Sequence, residues 1–300
     1  MNIIITGGSG FIGSNLTAAL RQRGHEVTVV DLVSPTQPVD DFLPIDLTQQ
    51  DIPPEKVAHA HAIIHLAGRN LLGRFNEGHK RAIYQTRILS TRRLVEALNY
   101  TNPRPALLIS ASAVGYYGNR PNEELNENSP PGGDFLATLC IEWEKEARQA
   151  ERLGMRTVQM RTAPVLGESG ILDRMLPLYR WGLGGPLGNG QQWFPWIHIH
   201  DLINSYACAL ENETVQGPVN AVSPGMVTNE EFSHTLAEVL GKSSFLRAPL
   251  WALRLLYKDL ADAMMATIRV YPHKLLAAGF AFRFTNLRQA LEDILHQQKT

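Results

Sequence analysis

Residues 1–13 read MNIIITGGSGFIG. The run 2–5 is short, apolar and β-branched, the composition of a strand buried on both faces of a parallel sheet. Residues 6–13 then carry Gly8, Gly10 and Gly13 at G-x-G-x-x-G spacing, and Gly7, Gly10 and Gly13 at G-x-x-G-x-x-G spacing. A helix is expected over 14–23, with Leu16, Ala19 and Leu20 on one face. A glycine motif alone is a weak signal, but here it has the strand before it and the helix after it that dinucleotide binding requires. Glycine lets the strand turn sharply, lets backbone approach a pyrophosphate without a β-carbon between, and lets the helix pack on the sheet. The N-terminus of that helix then turns free N–H groups and a positive dipole end toward the phosphates, and Phe11 and Ile12 of the turn count among the cofactor-binding residues.

The next strand, 26–30, runs into Asp31, eighteen residues past Gly13. An acid at this place hydrogen-bonds the adenosine ribose and repels the extra phosphate of NADP. No arginine follows closely to receive that phosphate, so the residue chemistry favours NAD over NADP as cofactor; the other reading of Asp31 is a strand-end turn residue. A short strand is expected over 43–47, with Asp46 either reaching the adenine or capping the next helix. Strand 62–66 ends in Ala67 and Gly68, small residues that leave room for a cofactor backbone. A polar loop is expected over 69–82, with Arg69, Arg74, Lys80 and Arg81, then a helix over 82–99 and a strand over 106–110. The stretch 119–134 reads as a polar loop, 135–153 as a helix and 157–160 as a strand. Alternating strands and helices imply an α/β fold, a doubly wound parallel sheet of Rossmann type. Residues 1–166 form its main part, and 167–300 a smaller mixed C-terminal lobe, with some later segments returning to the sheet. In that lobe Thr228 to Glu231 has capping-box spacing.

Three hundred residues with a net charge of −1 offer no electrostatic case for nucleic acid or an anionic membrane. No apolar run approaches the ~20 residues of a membrane span. The chain enters a core strand at once, so no signal peptide is expected, and two cysteines, Cys140 and Cys208, are too few for a disulfide framework or a zinc site. A cytoplasmic protein is the simplest expectation. His198 and His200, two apart, would point the same way on a strand, but no third ligand is evident and no metal is expected; Asp201 reads as a helix cap. Trp193, Phe194 and Trp196 either wall a substrate pocket, with His198 beside it, or cover the junction of the lobes.

The run 6–13 together with 65–68, HLAG, resembles the extended short-chain dehydrogenase/reductase superfamily. The segments SASAVGYYG (110–118), LGGPLG (183–188), WIHIHDL (196–202) and AGFAFR (278–283) are similar to one subgroup, the atypical nucleoside-diphosphate-sugar epimerase-like proteins, also described as cell-division inhibitor homologues. The resemblance covers nearly the whole chain. It implies a cofactor along the carboxyl ends of the strands and a small-molecule substrate, a nucleotide-sugar or a small carbonyl compound, between the sheet and the C-terminal lobe. Carried over by position, the glycine turn holds pyrophosphate and Asp31 the ribose. Asp46 and Leu47 hold the adenine, Leu66, Ala67 and Gly68 line the middle of the cofactor, and Arg161, Ala163 and Val165 lie toward the nicotinamide. The subgroup more often has an arginine-containing turn, suited to NADP, where this chain has Asp31. Members often pair as homodimers through the helices expected here over 82–99 and 135–153, although Arg87, Arg92 and Glu146 put charge on them.

The superfamily's chemistry uses a Ser or Thr with a Tyr-x-x-x-Lys pair, in which the lysine lowers the tyrosine pKa for proton transfer. No tyrosine of this chain has lysine four residues later. Ser112 matches the Ser/Thr. In helix 135–153 either Leu136 or Cys140 faces the site, with Glu142, Glu144 and Lys145 nearby. The substitutes are Tyr116 or Tyr117 as a phenol donor, or Cys140 as an acid if a positive charge lowers its pKa. The alternative is a dinucleotide sensor or binding protein without catalysis.

Overall fold

The computed structural model describes residues 1–71, 76–257 and 260–297. The first strand, β1 (Asn2–Thr6), has Ile3, Ile4 and Ile5 at most 2% exposed. Consecutive apolar residues are buried because both faces of the sheet are covered. Helix α1 (Phe11–Gln22) starts three residues before the expected Ser14. Strands β2 (Glu26–Asp31) and β3 (Asp41–Pro44), helix α2 (Pro54–Ala58) and β4 (Ala62–His65) follow. Helix α3 (Glu77–Tyr84) passes through one π turn, Gln85–Leu89, into α4 (Ser90–Leu98). β5 (Leu107–Ala113), β6 (Arg120–Leu125), α5 (Phe135–Ala147) and β7 (Arg156–Thr162) come next.

The remaining strands are short, between helices of varied length. In chain order come β8 (Val165–Leu166), α6 (Ile171–Arg180), β9 (Trp193–Phe194), β10 (Ile197–His198), α7 (Ile199–Glu211), β11 (Gly217–Ala221) and β12 (Val227–Thr228). Then come α8 (Asn229–Val239), α9 (Leu250–Tyr257), α10 (Leu260–Met264), β13 (Ile268–Val270), α11 (His273–Ala277) and α12 (Leu287–Gln297). No helix among the described residues is long and apolar enough to cross a membrane.

Seven strands make the central sheet, in the order β11-β7-β5-β4-β1-β2-β3. β1 pairs in parallel with both β2 and β4, so the strand order reverses beside it. In register, Ile4 stands beside Ile63 and Ile63 beside Leu108. These side chains join Val30, Leu94, Val95, Leu98, Ala147 and Met155 in one buried cluster. The chain divides into two compact units: 1–113 with 138–161 and 203–219, and 114–137 with 162–202 and 220–300. The second unit has its own core, in which Leu166, Leu172, Trp196, Phe232, Leu236, Phe284 and Leu291 pack together. The Thr228–Glu231 capping box forms as read: the Glu231 amide donates to Thr228 Oγ1 (3.2 Å) and the Thr228 amide to Glu231 Oε2 (2.6 Å).

Three local expectations need correction. The polar stretch 69–82 is not all loop, because α3 begins at Glu77 with Asn76 as its cap, accepting from the His79 amide at 2.8 Å. Arg74 lies outside the described residues. The polar stretch 119–134 contains β6, whose polar residues stay exposed while it pairs with β13. A two-stranded ribbon with exposed residues lacks the alternation that marks a half-buried strand. The expected strand over 43–47 is instead β3, and residues 47–49 form a turn.

Among the buried polar residues of this sheet is a histidine. His65 is fully buried, with Nδ1 2.7 Å from Thr6 Oγ1 and Nε2 2.9 Å from Thr91 Oγ1. Burial pulls its pKa from 6.5 down to about 4. A histidine held neutral in the fold contributes stability above pH 6.5 that is lost as pH falls toward 4, because the unfolded chain takes the proton first. We expect this residue to remove roughly 3 kcal/mol of stability across that window. Urea unfolding at about pH 7 and about pH 4.5 should show a smaller acid loss in His65→Gln than in the wild type; an equal loss in both would refute the assignment.

Candidate active site at the strand ends

The turn after β1 is held by close backbone contact. Gly7 has φ +71°, and a β-carbon on it would stand 2.8–2.9 Å from the backbone of Leu66 and Ala67. A β-carbon on Gly13 would stand 2.2 Å from the Gly7 carbonyl oxygen. The glycine turn therefore touches the end of β4 directly, at the place where the strand order reverses. Open α/β sheets bind ligands at such a switch point. Helix α1 has Gly10 as its N-cap, with no side chain capping it and no acid in its first turn. Its first N–H groups, on Phe11 and Ile12, are thus left for an anion. The backbone cradle and the uncapped helix fit a dinucleotide's pyrophosphate.

Asp31 ends β2 beside this turn. Its carboxylate accepts from the Ser9 amide (3.0 Å) and the Leu32 amide (2.7 Å), so it also ties the glycine turn to its own strand. Asp46 caps the turn that follows β3: it accepts from the Thr48 amide (2.9 Å), Thr48 Oγ1 (2.7 Å) and Gln49 Nε2 (2.9 Å). The Thr48 hydroxyl foremost holds its carboxyl below the usual range. Asp46 thus holds this turn and caps no helix, since the next helix, α2, starts at Pro54 behind Pro53. Leu47 is a core residue, 5% exposed. Leu66 and Ala67 are partly exposed at the end of β4, and Gly68 is exposed.

At the end of β5, the Ser112 hydroxyl donates to Glu144 Oε1 at 2.7 Å. Glu144 also receives Arg161 in a two-point ion pair, Nε to Oε1 and Nη2 to Oε2, each 2.8 Å. All three residues are buried. The Ser112 proton and the Arg161 charge are therefore committed to Glu144, and Arg161 forms this pair in the first unit. Ala163 and Val165 belong to the second, where the Ala163 amide donates to the Ala221 carbonyl at 3.0 Å and Val165 stands beside Ile197 in β8.

Several expected roles are overturned. Cys140 is 3% exposed, and burial first, then the Glu144 charge, pushes its thiol up to about 12. Arg87 opposes this weakly, so Cys140 stays a thiol and is no acid near neutral pH. Tyr117 is fully buried, and its hydroxyl donates to Asn220 Oδ1 at 2.7 Å, which makes it an anchor in the second unit rather than a free phenol. Tyr116 is half-buried and meets the Tyr117 ring edge-on at 5.3 Å. Trp196 is no pocket wall: it is fully buried, with Nε1 donating to the Gly225 carbonyl at 2.7 Å. Trp193 is half-buried beneath the Arg269 guanidinium, 5.3 Å from its ring.

His198 and His200 do not share a strand face, because His198 ends β10 and His200 already lies in α7. His198 stacks on Phe284 at 3.9 Å, and burial lowers its pKa to about 4. Asp201 does not cap a helix. It is buried in the first turn of α7 and accepts from the amides of Arg283 (2.9 Å) and Phe284 (2.8 Å). Among the described residues no three His, Cys, Asp or Glu side chains gather to hold a metal.

Sequence pattern marks Arg87 only as helix surface charge, and the structure gives it another place. Arg87 lies on the π turn, partly buried, beside Gly68 and Trp143. Helical periodicity cannot place it, because a π turn adds a residue and rotates the rest of the helix. Arg92 is paired with Glu146 at 2.7 Å, as expected of a solvated helix face.

The buried Glu144–Arg161 pair generates a direct test. Glu144→Gln strands the Arg161 charge in the interior, and we expect a loss of about 3–5 kcal/mol in urea unfolding. Adding Arg161→Met should recover most of that loss. If the double variant is as unstable as the single one, the cost lies in packing rather than in the unpaired charge.

With this geometry established, three comparisons bear on kinship. The sequence model of the NAD dependent epimerase/dehydratase family matches residues 3–222, and a domain of unknown function, DUF1731, matches residues 248–294. The epimerase family protein YfhF of Bacillus subtilis is 33% identical over 302 residues, covering 100% of both chains. The crystal structure of human epimerase family protein SDR39U1 with NADPH is 33% identical with a TM-score of 0.87, covering 99% of each chain. A nucleoside-diphosphate sugar epimerase from Corynebacterium glutamicum is 32% identical with a TM-score of 0.77, covering 100% of this chain and 61% of that one. The strand–glycine turn–helix opening, the parallel sheet and these full-length likenesses have one meaning: the chain belongs to the NAD dependent epimerase/dehydratase family.

Proposed function

We propose that this protein binds a nicotinamide dinucleotide across the ends of β1 and β4 and uses it on a nucleotide-linked sugar or a small carbonyl compound. The observation that carries the reading is the backbone cradle, with Gly7 against Leu66–Ala67, Gly13 against the Gly7 carbonyl, and α1 uncapped above it. Gly7, Gly10, Phe11, Ile12 and Gly13 would hold the pyrophosphate, and Leu66, Ala67 and Gly68 would flank the middle of the cofactor. Its nicotinamide, when bound, supplies or accepts a hydride. The NADPH in the human relative and the sugar-nucleotide chemistry named for the Corynebacterium protein support the same reading.

The cofactor preference rests on Asp31. Its carboxylate keeps acceptor capacity beyond the Ser9, Leu32 and Val33 amides, and its negative charge opposes a ribose phosphate. We therefore infer NAD over NADP, against the NADPH of the human relative. A second reading, a dinucleotide-binding protein without turnover, is favoured by the proton chemistry. Leu136 and Cys140 stand four apart on α5, the spacing of the absent Tyr-x-x-x-Lys pair, and neither is an acid near neutral pH.

Calorimetric titration with NADH and NADPH tests both. We expect NADH to bind about tenfold tighter, and Asp31→Asn, which removes the charge and keeps one of the two acceptor oxygens, to erase the difference. Tighter NADPH would overturn the inference from Asp31. Gly13→Ala should abolish binding of both dinucleotides; retained binding would place the cofactor elsewhere. Hydride exchange between loaded protein and sugar-nucleotide or aldehyde panels separates the enzyme from the binding protein.

A further inference from the structure

Two arginines stand at the carboxyl edge of this sheet in the first unit, and they differ in one respect. Arg161 has its charge matched by Glu144 at two points. Arg87 has no carboxylate partner among the described residues. Its Nη1 donates to the Arg69 carbonyl at 2.8 Å. The centre of its guanidinium lies 5.2 Å from the Trp143 ring. On the Gly68 side, a β-carbon on that residue would stand 3.2 Å from Arg87 Cζ. The guanidinium is therefore set against the backbone that continues β4, next to the glycine cradle. Trp143 is 5% exposed, and its Nε1–H has no hydrogen-bond acceptor among the described residues.

The local backbone is built to hold this arginine. The π turn Gln85–Leu89 carries it, and Thr86 Oγ1 on the same turn accepts from the Arg69 amide at 3.0 Å. Single π turns inside α-helices recur at functional sites, where the added residue re-aims a side chain. Partial burial without a counter-ion is costly. It pulls the Arg87 pKa down to about 10, and the group remains a cation near neutral pH. Its charge is also felt at the Cys140 thiol.

We propose that Arg87 is the anion-binding group of this site: its guanidinium takes a phosphate or carboxylate oxygen of the bound ligand. The inference extends the dinucleotide reading, which gives two sources for that oxygen, the cofactor or the substrate. A planar guanidinium with free N–H donors suits such oxygens better than an ammonium does.

The test compares wild type, Arg87→Met and Arg87→Lys by calorimetry at low ionic strength. NADH and NADPH are titrated first, and inorganic pyrophosphate is then titrated into protein saturated with the tighter dinucleotide. If the oxygen is the cofactor's, Arg87→Met weakens dinucleotide binding about tenfold or more; if it is the substrate's, dinucleotide binding holds and pyrophosphate binding falls by that factor. Arg87→Lys should lie between in either case. The melting temperature of Arg87→Met should equal or exceed the wild-type value, since an unmatched charge has been removed. Unchanged binding of both probes, with or without a lower melting temperature, overturns the proposal and leaves Arg87 structural. Should Arg87→Met not fold, Arg87→Gln gives the same comparison. If the wild type binds neither dinucleotide, the cofactor reading fails on its own. Pyrophosphate titration of the free protein then decides Arg87: a tenfold loss in the variant sustains it and equal binding refutes it.

Discussion

A β-carbon on Gly13 would stand 2.2 Å from the carbonyl oxygen of Gly7, and one on Gly7 would press on the backbone of Leu66 and Ala67 at 2.8–2.9 Å. This contact of bare backbone is the constraint on which the rest depends. It sets where α1 begins, how closely that helix lies on the sheet, and how near the ends of β1 and β4 come. β1 has its neighbours β2 and β4 on opposite sides. The crossovers leave the sheet in both directions from this point, which opens a cleft at the strand ends. No side chain other than glycine could occupy the two positions without moving the chain.

Around that point, charge is distributed by pairing rather than by exposure. Glu144 takes both the Arg161 guanidinium and the Ser112 hydroxyl, so two groups that look reactive in isolation are structural partners. A buried pair of this kind is held by mutual satisfaction, and either member alone would be costly. Arg87 contrasts with it, since its contacts are a carbonyl, an indole and a glycine backbone. Cys140 lies between these two environments. The apolar surroundings and the Glu144 charge outweigh the nearby cation and keep it a thiol.

The second unit shows how polar motifs are absorbed by a core. His198 stacks on Phe284, Asp201 fixes the backbone of Arg283 and Phe284, and Trp196 donates to the Gly225 carbonyl. Within the cluster WIHIHD of 196–201, His198 and Asp201 thus anchor the segment around Phe284. Buried polar groups must find partners, and for Asp201 and Trp196 the partners are backbone amides and a carbonyl far along the chain. Such partners carry no signature in sequence. The same holds for Tyr117, whose hydroxyl is satisfied by Asn220 more than one hundred residues later.

What the sequence determined by itself was local and periodic. The apolar run of β1, the glycine spacing, Asp31 at the end of β2 and the Thr228–Glu231 cap were legible, because each depends on neighbours within a few residues. The alternation of strand and helix was enough for the sheet type, and the absence of Tyr-x-x-x-Lys could be read directly. Tertiary structure alone decided the chemistry of individual groups. That Cys140 is no acid, that Ser112 is held by Glu144, that His198 and His200 part company at a strand–helix boundary, and that Arg87 faces Gly68 are all consequences of contacts between distant segments. The physical reason is that a pKa or a free donor depends on desolvation and on partners, and a chain brings these together only when its sheet and helices have packed.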